Sequence, residues 1–176
     1  MNKNIFSMLF WTLIPDRWII GMACLGRVGF WGKGPGTNGS VAGVLFYMAF
    51  LHTAPFWAQL LICAILVAVA LPICEQAEIR LRKRDPGEVI IDEFVAQPLV
   101  FLGWPVALSG TPWAFAYLLA GFALFRLFDI AKPFGIKRLQ SLPGGQGVLV
   151  DDLAAAGAAW VVLQVGFQLL FYYSVI

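Results

Sequence analysis

The sequence predicts an all-α fold that crosses a membrane several times, and three observations predict it. The chain is 60% hydrophobic and only 12% charged, too apolar for an ordinary water-soluble domain. Its apolar residues gather into five long runs, at 41–51, 56–74, 94–108, 113–128 and 153–176. Lys and Arg occupy only alternate polar stretches. They fill 1–40 (Lys3, Arg17, Arg27, Lys33), 75–93 (Arg80, Arg82, Lys83, Arg84) and 126–152 (Arg126, Lys132, Lys137, Arg138), and are missing from 52–55, 109–112 and the C-terminus. Retention of bases on the cytoplasmic side gives multi-span proteins this pattern. The same three basic stretches hold all ten carboxylates, so chemistry done by charged groups is expected on one membrane face.

Taken in order, the elements begin with an interfacial N-terminal segment, 1–31, in which an apolar patch ends at Pro15-Asp16-Arg17 with no small-residue cleavage site. Run 41–51 is short, and is expected to be extended by its flanks or to be re-entrant, with Pro55 ending it. A helix needs about 20 residues to cross a bilayer core, which 56–74 and 153–176 satisfy alone. Runs 94–108 and 113–128, joined by the uncharged turn Ser109-Gly110-Thr111-Pro112, read as a helical hairpin. The expectation is about five apolar helices in one membrane-embedded domain, 1–176, with the N-terminus inside and the C-terminus outside. A soluble bundle of all-round apolar helices is the rival. Trp104, Trp113, Tyr172 and Tyr173 at run ends favour the membrane. A net charge of +2 spread over three loops shows no nucleic-acid surface. Cys24, Cys63 and Cys74 have no metal-ligand spacing and read as small apolar fillers.

Four segments carry candidate chemistry. Gly32-Lys33-Gly34-Pro35-Gly36-Thr37-Asn38-Gly39-Ser40 stands before an apolar helix, where close glycines and free N–H groups suit a phosphate; a turn with a Thr37 or Ser40 cap is the plain alternative. Asp92-Glu93 sits where a loop meets an apolar run. Helix capping would use one acid there, but two at a membrane boundary are costly without a bound cation. Arg126, Asp129 and Lys132 are spaced three apart and can share a helix face as a salt-bridge ladder. Gly144-Gly145-Gln146-Gly147 leads to Asp151-Asp152 at the expected start of the last helix, where capping accounts for one aspartate and not easily for both.

Together these place acids, an anion cradle and bases on one side of a membrane. Hard carboxylate ligands suit Mg²⁺, and a metal-bound phosphate flanked by Arg and Lys describes phosphoryl transfer or hydrolysis. The only histidine, His52, lies in a base-free loop, which argues against histidine phosphatase chemistry. Cys74 and Arg80 form a Cys-x5-Arg string, but Glu75 and Glu78 inside it would repel phosphate.

The four segments, in this order, resemble the phosphatidylglycerophosphatase A family, whose Pro-Gly-Thr-x-Gly-Ser, Asp-Glu-Phe, Phe-Arg-x-x-Asp-x-x-Lys-Pro and Gly-Gly-x-Gly…Asp-Asp segments match 35–40, 92–94, 125–133 and 144–152. The resemblance implies a Mg²⁺-dependent phosphatase of the bacterial inner membrane that converts phosphatidylglycerophosphate to phosphatidylglycerol. The motif match carries over Thr37, Asp92, Glu93, Arg126, Asp129, Lys132, Asp151 and Asp152; with Gly36 from the glycine cradle, the expected roles are catalysis for Asp129, Asp151 and Asp152, phosphate binding for Gly36, Thr37, Arg126 and Lys132, and metal ligation for Asp92, Glu93, Asp129 and Asp152. Water attack with Asp151 or Asp152 as base, or direct attack by a carboxylate, both fit. The chain departs from the pattern at Val95-Ala96, where a glycine is usual, at Gly135, where a second proline is common, at Pro143, where histidine is frequent, and in Gly32-Lys33-Gly34, which replaces a more apolar, proline-containing stretch. These leave a related lipid phosphate as an alternative substrate. A small ion-coupled transporter is the alternative of another class; it predicts acids at mid-membrane depth, whereas here they stand at run boundaries.

Overall fold

The computed structural model describes residues 11–105, 108–133, 135–136 and 145–175, with backbone alone for 171–175. Residues 1–10 of the expected interfacial segment, and Gly144, Lys137 and Arg138, lie outside that set. Every regular element among the described residues is helical.

Helix α1 (Asp16–Ala23) follows Pro15 and carries Asp16 in its first turn, where a carboxylate suits the positive helix end. It buries Ile19 and Ala23. The chain before it is fastened by Arg80, which donates to the carbonyls of Ile14 (3.0 Å) and Trp11 (2.7 Å) and pairs with Asp16 at 3.1 Å. After a 3₁₀ turn at Val28–Phe30, helix α2 (Pro35–Phe46) starts with proline in its first turn, a position that needs no N–H, and runs on as a π turn through Tyr47–Leu51.

Helix α3 (Phe56–Leu81) opens after Pro55 and ends at Arg82, whose φ is 51°. Helix α4 (Ile91–Ala96) continues as a 3₁₀ segment, Gln97–Phe101. Helix α5 (Pro112–Ala131) ends at Lys132 with φ 43°, and α6 (Gly145–Val175) closes the fold. Among the described residues, three stretches are long and apolar enough to cross a membrane: Phe56–Leu81, Pro112–Ala131 and Gly145–Leu170. The all-helical fold is as expected, and so is the shortness of the helix in run 41–51, whereas run 94–108 makes a shorter helix than expected.

Run 94–108 does not form one arm of a continuous hairpin, and its own residues explain why. Pro98 lacks an N–H, Gly103 takes φ +77°, and Pro105 follows. Irregular backbone at such a place must be satisfied by protein groups. Here Tyr47 Oη donates to Phe101 O (2.7 Å), Gly103 N–H donates to Gln59 Oε1 (3.2 Å), and Trp160 Nε1 and Gln164 Nε2 both donate to Leu102 O (2.9 and 3.1 Å). Gln59 also donates to Leu51 O and Ala54 O (3.2 and 2.9 Å), closing the end of α2.

Glycines set how closely α2 lies on α4. A Cβ at Gly39 would stand 2.7 Å from Ile90 O, and one at Gly43 would stand 2.8 Å from Phe94 O and from Gln97 Cβ. Small residues at helix contacts permit such approach. The two segments run in the same direction, with Tyr47 stacking near Phe101 (5.3 Å) at the base-free end. That end is an aromatic core in which Tyr117 meets Trp104 and Phe167 edge-on at 5.3 and 5.4 Å. The opposite ends of α2, α4, α5 and α6 converge with their charged residues.

Candidate active site

Asp92 and Glu93 open α4, with Glu93 N–H donating to Asp92 Oδ1 at 3.1 Å. Asp152 approaches from α6. Oxygen atoms of Asp92, Glu93 and Asp152 lie within 4.8 Å of one another. Asp92 and Asp152 are 4% and 5% exposed, and a cavity of about 120 Å³ is lined by these three acids together with Asp129, Asp151 and Lys132. Burial, then repulsion from Glu93 and Asp152, pushes the Asp92 carboxyl well above its ordinary range. Burial also raises Glu93, partly offset by its hydrogen bond with Asp92. A cavity with three such acids favours a cation.

Bases flank the acids. Arg126 Nη1 donates to Asp129 Oδ2 at 2.6 Å, lies 3.8 Å from Glu93 Oε1 and reaches Ser40 Oγ at 3.4 Å. Ser40 in turn donates to Gly36 O at 3.0 Å. A Cβ on Gly36 would collide with Glu93 Oε1 and stand 3.2 Å from Arg126 Nη1, so the missing side chain makes room for this meeting of acid and guanidinium. The expected ladder on one helix face is only half formed. Lys132, turned by its left-handed backbone at the end of α5, ion-pairs with Asp151 of α6 instead of Asp129. Burial alone would lower Lys132, yet the Asp151 bond and the neighbouring aspartates hold it above its ordinary value, so it stays charged.

The structure also changes the setting of Asp151 and Asp152. Among the described residues helix α6 runs from Gly145, so Gly145 and Gly147 are helical and the aspartates stand in the helix interior, not at its start. The reason is tertiary. Without a Cβ, Gly145 lies against the α3 backbone, where an added carbon would be 2.8 Å from Leu71 O. Capping is therefore not available as an explanation for either aspartate.

Asp92, Glu93, Asp129, Asp151, Asp152 and Lys132 thus share one cavity, with Arg126 and Gly36 beside it. Asp129 belongs to the cavity wall but gives an oxygen to Arg126, outside the tight group of three. Thr37 is exposed on the first turn of α2 and does not line the cavity. Ser40, within a motif yet not among the expected site residues, is fully buried beneath Arg126; no spacing in the sequence signals this contact, because Arg126 comes from another helix. Asn38 donates to Trp31 O at 2.7 Å, fixing the start of α2. Cys74 is buried in an apolar cluster and Arg80 is committed to the N-terminal carbonyls, so neither joins the site.

Fold and site together define a helical membrane protein with an oxygen-rich, base-flanked cavity at one end of its bundle. The family model for phosphatidylglycerophosphatase A matches residues 21–167, and the chain belongs to that family. It is a phosphatase, and the family implies a phospholipid substrate. Among curated relatives, a Bacteroides thetaiotaomicron protein named "Putative phosphatidylinositol-3-phosphatase" is 33% identical over 78% of this chain and 86% of its own length. Proteins named phosphatidylglycerophosphatase A from Haemophilus influenzae and Escherichia coli are 33% and 29% identical, over 77% and 69% of this chain and 81% and 67% of their own lengths. No solved structure matches the chain.

Proposed function

We propose that this protein is a Mg²⁺-dependent phosphatase that removes the terminal phosphate of phosphatidylglycerophosphate to give phosphatidylglycerol, with its site on the cytoplasmic face of a bacterial inner membrane. The observation that carries the reading is the convergence of Asp92, Glu93 and Asp152 within 4.8 Å beside Arg126 and Lys132. The donor set fits a hard divalent cation, being all carboxylate oxygen. Glu93 Oε2 is buried with no partner among the described residues, and the cavity has room for water as well as an ion.

Asp92, Glu93 and Asp152 would hold the ion, with Asp129 a further oxygen on the wall. When bound, Mg²⁺ polarises the phosphate and lowers the pKa of water. The remaining work belongs to the chain. Arg126 presents a guanidinium whose Nε is buried and unpartnered among the described residues, a group suited to the charge that develops on phosphate oxygens. Asp129 and Ser40 hold it in place. Lys132 supplies a second positive charge, and Asp151, whose Oδ1 is unpartnered among the described residues, is placed to accept a proton from the attacking water. Gly36 keeps the approach to Arg126 open. The acids gather where charged helix ends meet, as a headgroup enzyme needs, and not along a mid-membrane path as a transporter needs.

The name of the Bacteroides relative makes a phosphatidylinositol phosphate the rival substrate. Phosphate release by the purified protein in detergent, from phosphatidylglycerophosphate and from phosphatidylinositol 3-phosphate, with Mg²⁺ and with chelator, tests the proposal. Release from the first lipid in Mg²⁺ alone is expected. Faster release from the second would reassign the substrate, and full activity in chelator would end the metal reading.

A further inference from the structure

Two glutamines are buried among the described residues, and they are treated differently. Gln59 spends its amide on Leu51 O, Ala54 O, Gly103 N–H and Tyr47 Oη, which is what a structural amide in an apolar bundle must do. Gln97 is 0% exposed, yet neither its Oε1 nor its Nε2 has a partner among the described residues. A buried amide left unpaired is costly, so its retention calls for a partner.

The partner indicated is Glu93. Residues four apart on a helix stack on one face, with Cβ atoms about 5–6 Å apart. Both side chains leave α4 on the face that meets α2: a Cβ at Gly39 would lie 3.4 Å from Glu93 Cβ, and one at Gly43 would lie 2.8 Å from Gln97 Cβ. Glu93 in turn has a buried oxygen, Oε2, with no partner among the described residues, while its Oε1 faces Arg126. The 3₁₀ segment that Gln97 opens is packed against α2, α5 and α6, so the amide is held one turn beneath the acids.

We infer that Gln97 is a positioning residue for Glu93: its Nε2 donates to the Glu93 carboxylate through one buried water and fixes the orientation in which Glu93 meets the divalent cation. The inference rests on the proposed cation site. Groups that orient metal ligands in this way typically change metal affinity 10–100-fold when lost.

Mn²⁺ titrations of the full-length protein in detergent, with free Mn²⁺ read by electron paramagnetic resonance, test it without recourse to activity. Gln97→Met keeps the volume and removes the amide, and should weaken Mn²⁺ binding by about 10–100-fold. In a Glu93→Gln background the same change should add little, because the two residues act as a unit. Should Gln97→Met not fold, Gln97→Asn, which withdraws the amide by one methylene, carries the same expectation. Affinity within about twofold of wild type, or a full effect in the Glu93→Gln background, would overturn the inference alone. Wild-type protein that binds no Mn²⁺ would overturn both it and the cation site.

Discussion

Asp152 and Asp151 are sequence neighbours with different surroundings, the first grouped with Asp92 and Glu93, the second paired with Lys132. Asp152→Asn should fold, lose at least about 100-fold in turnover and lose Mn²⁺ affinity. Asp151→Asn should lose turnover while keeping Mn²⁺ affinity, a contrast that paired turnover and Mn²⁺-binding measurements would reveal. Burial raises Asp92 and Glu93 above their ordinary values of 3.8 and 4.5, which fixes a sign. Over the range from those values up to the raised ones, the folded protein binds more protons than the unfolded chain, so stability falls as pH rises. Thermal unfolding in chelator should therefore show a falling transition temperature from about pH 4 upward, and added Mg²⁺ should oppose the fall increasingly. A transition temperature that rises with pH in chelator would contradict the burial of these acids. The residues of the site were readable because each is charged in an otherwise apolar chain. Ser40 and Gln97 were not, since an uncharged polar residue in a run gives no signal until its neighbours from other elements are known.

Among the elements, the contact between α2 and α4 limits what can change. Gly43→Ala would press a methyl against Phe94 O and Gln97, and should destabilise by about 1–3 kcal/mol. At Gly157, which has open space around it, the same substitution should be neutral or stabilise by up to about 1 kcal/mol. Unfolding titrations in detergent distinguish the two, and equal effects would mean that the close approach is wrongly placed. Run 113–128 was legible as a helix because no proline interrupts it, and run 56–74 because its single proline, Pro72, stands near its end and the helix continues through it to Leu81. Run 94–108 was misjudged because its apolar residues outweighed Pro98, Gly103 and Pro105, and because the side chains that make the break tolerable, Gln59, Trp160 and Gln164, come from helices far away in sequence. Asp151 and Asp152 stand deeper in α6 than expected for a similar reason: Gly145, which locally suggests a loop, is helical where the neighbouring α3 backbone needs the space.

For the molecule as a whole, the charge pattern foretold that the charged groups would gather at one end, and the fold brings acids and bases together there. On the proposed topology, Lys33→Cys and Arg84→Cys should be labelled only in opened cells, and Thr53→Cys and Ser109→Cys in intact ones. External labelling at Lys33→Cys or Arg84→Cys would reverse the orientation. The central claim is that Asp92, Glu93 and Asp152 hold the ion on which phosphate release depends. Phosphate release from phosphatidylglycerophosphate, followed as Mg²⁺ is titrated into chelator-treated wild-type and Asp152→Asn proteins, tests it most directly. Wild-type activity should rise from none to saturation, while the variant stays at least about 100-fold lower at every Mg²⁺ concentration. Activity independent of Mg²⁺, or an Asp152→Asn protein that matches wild type once Mg²⁺ is saturating, would contradict it.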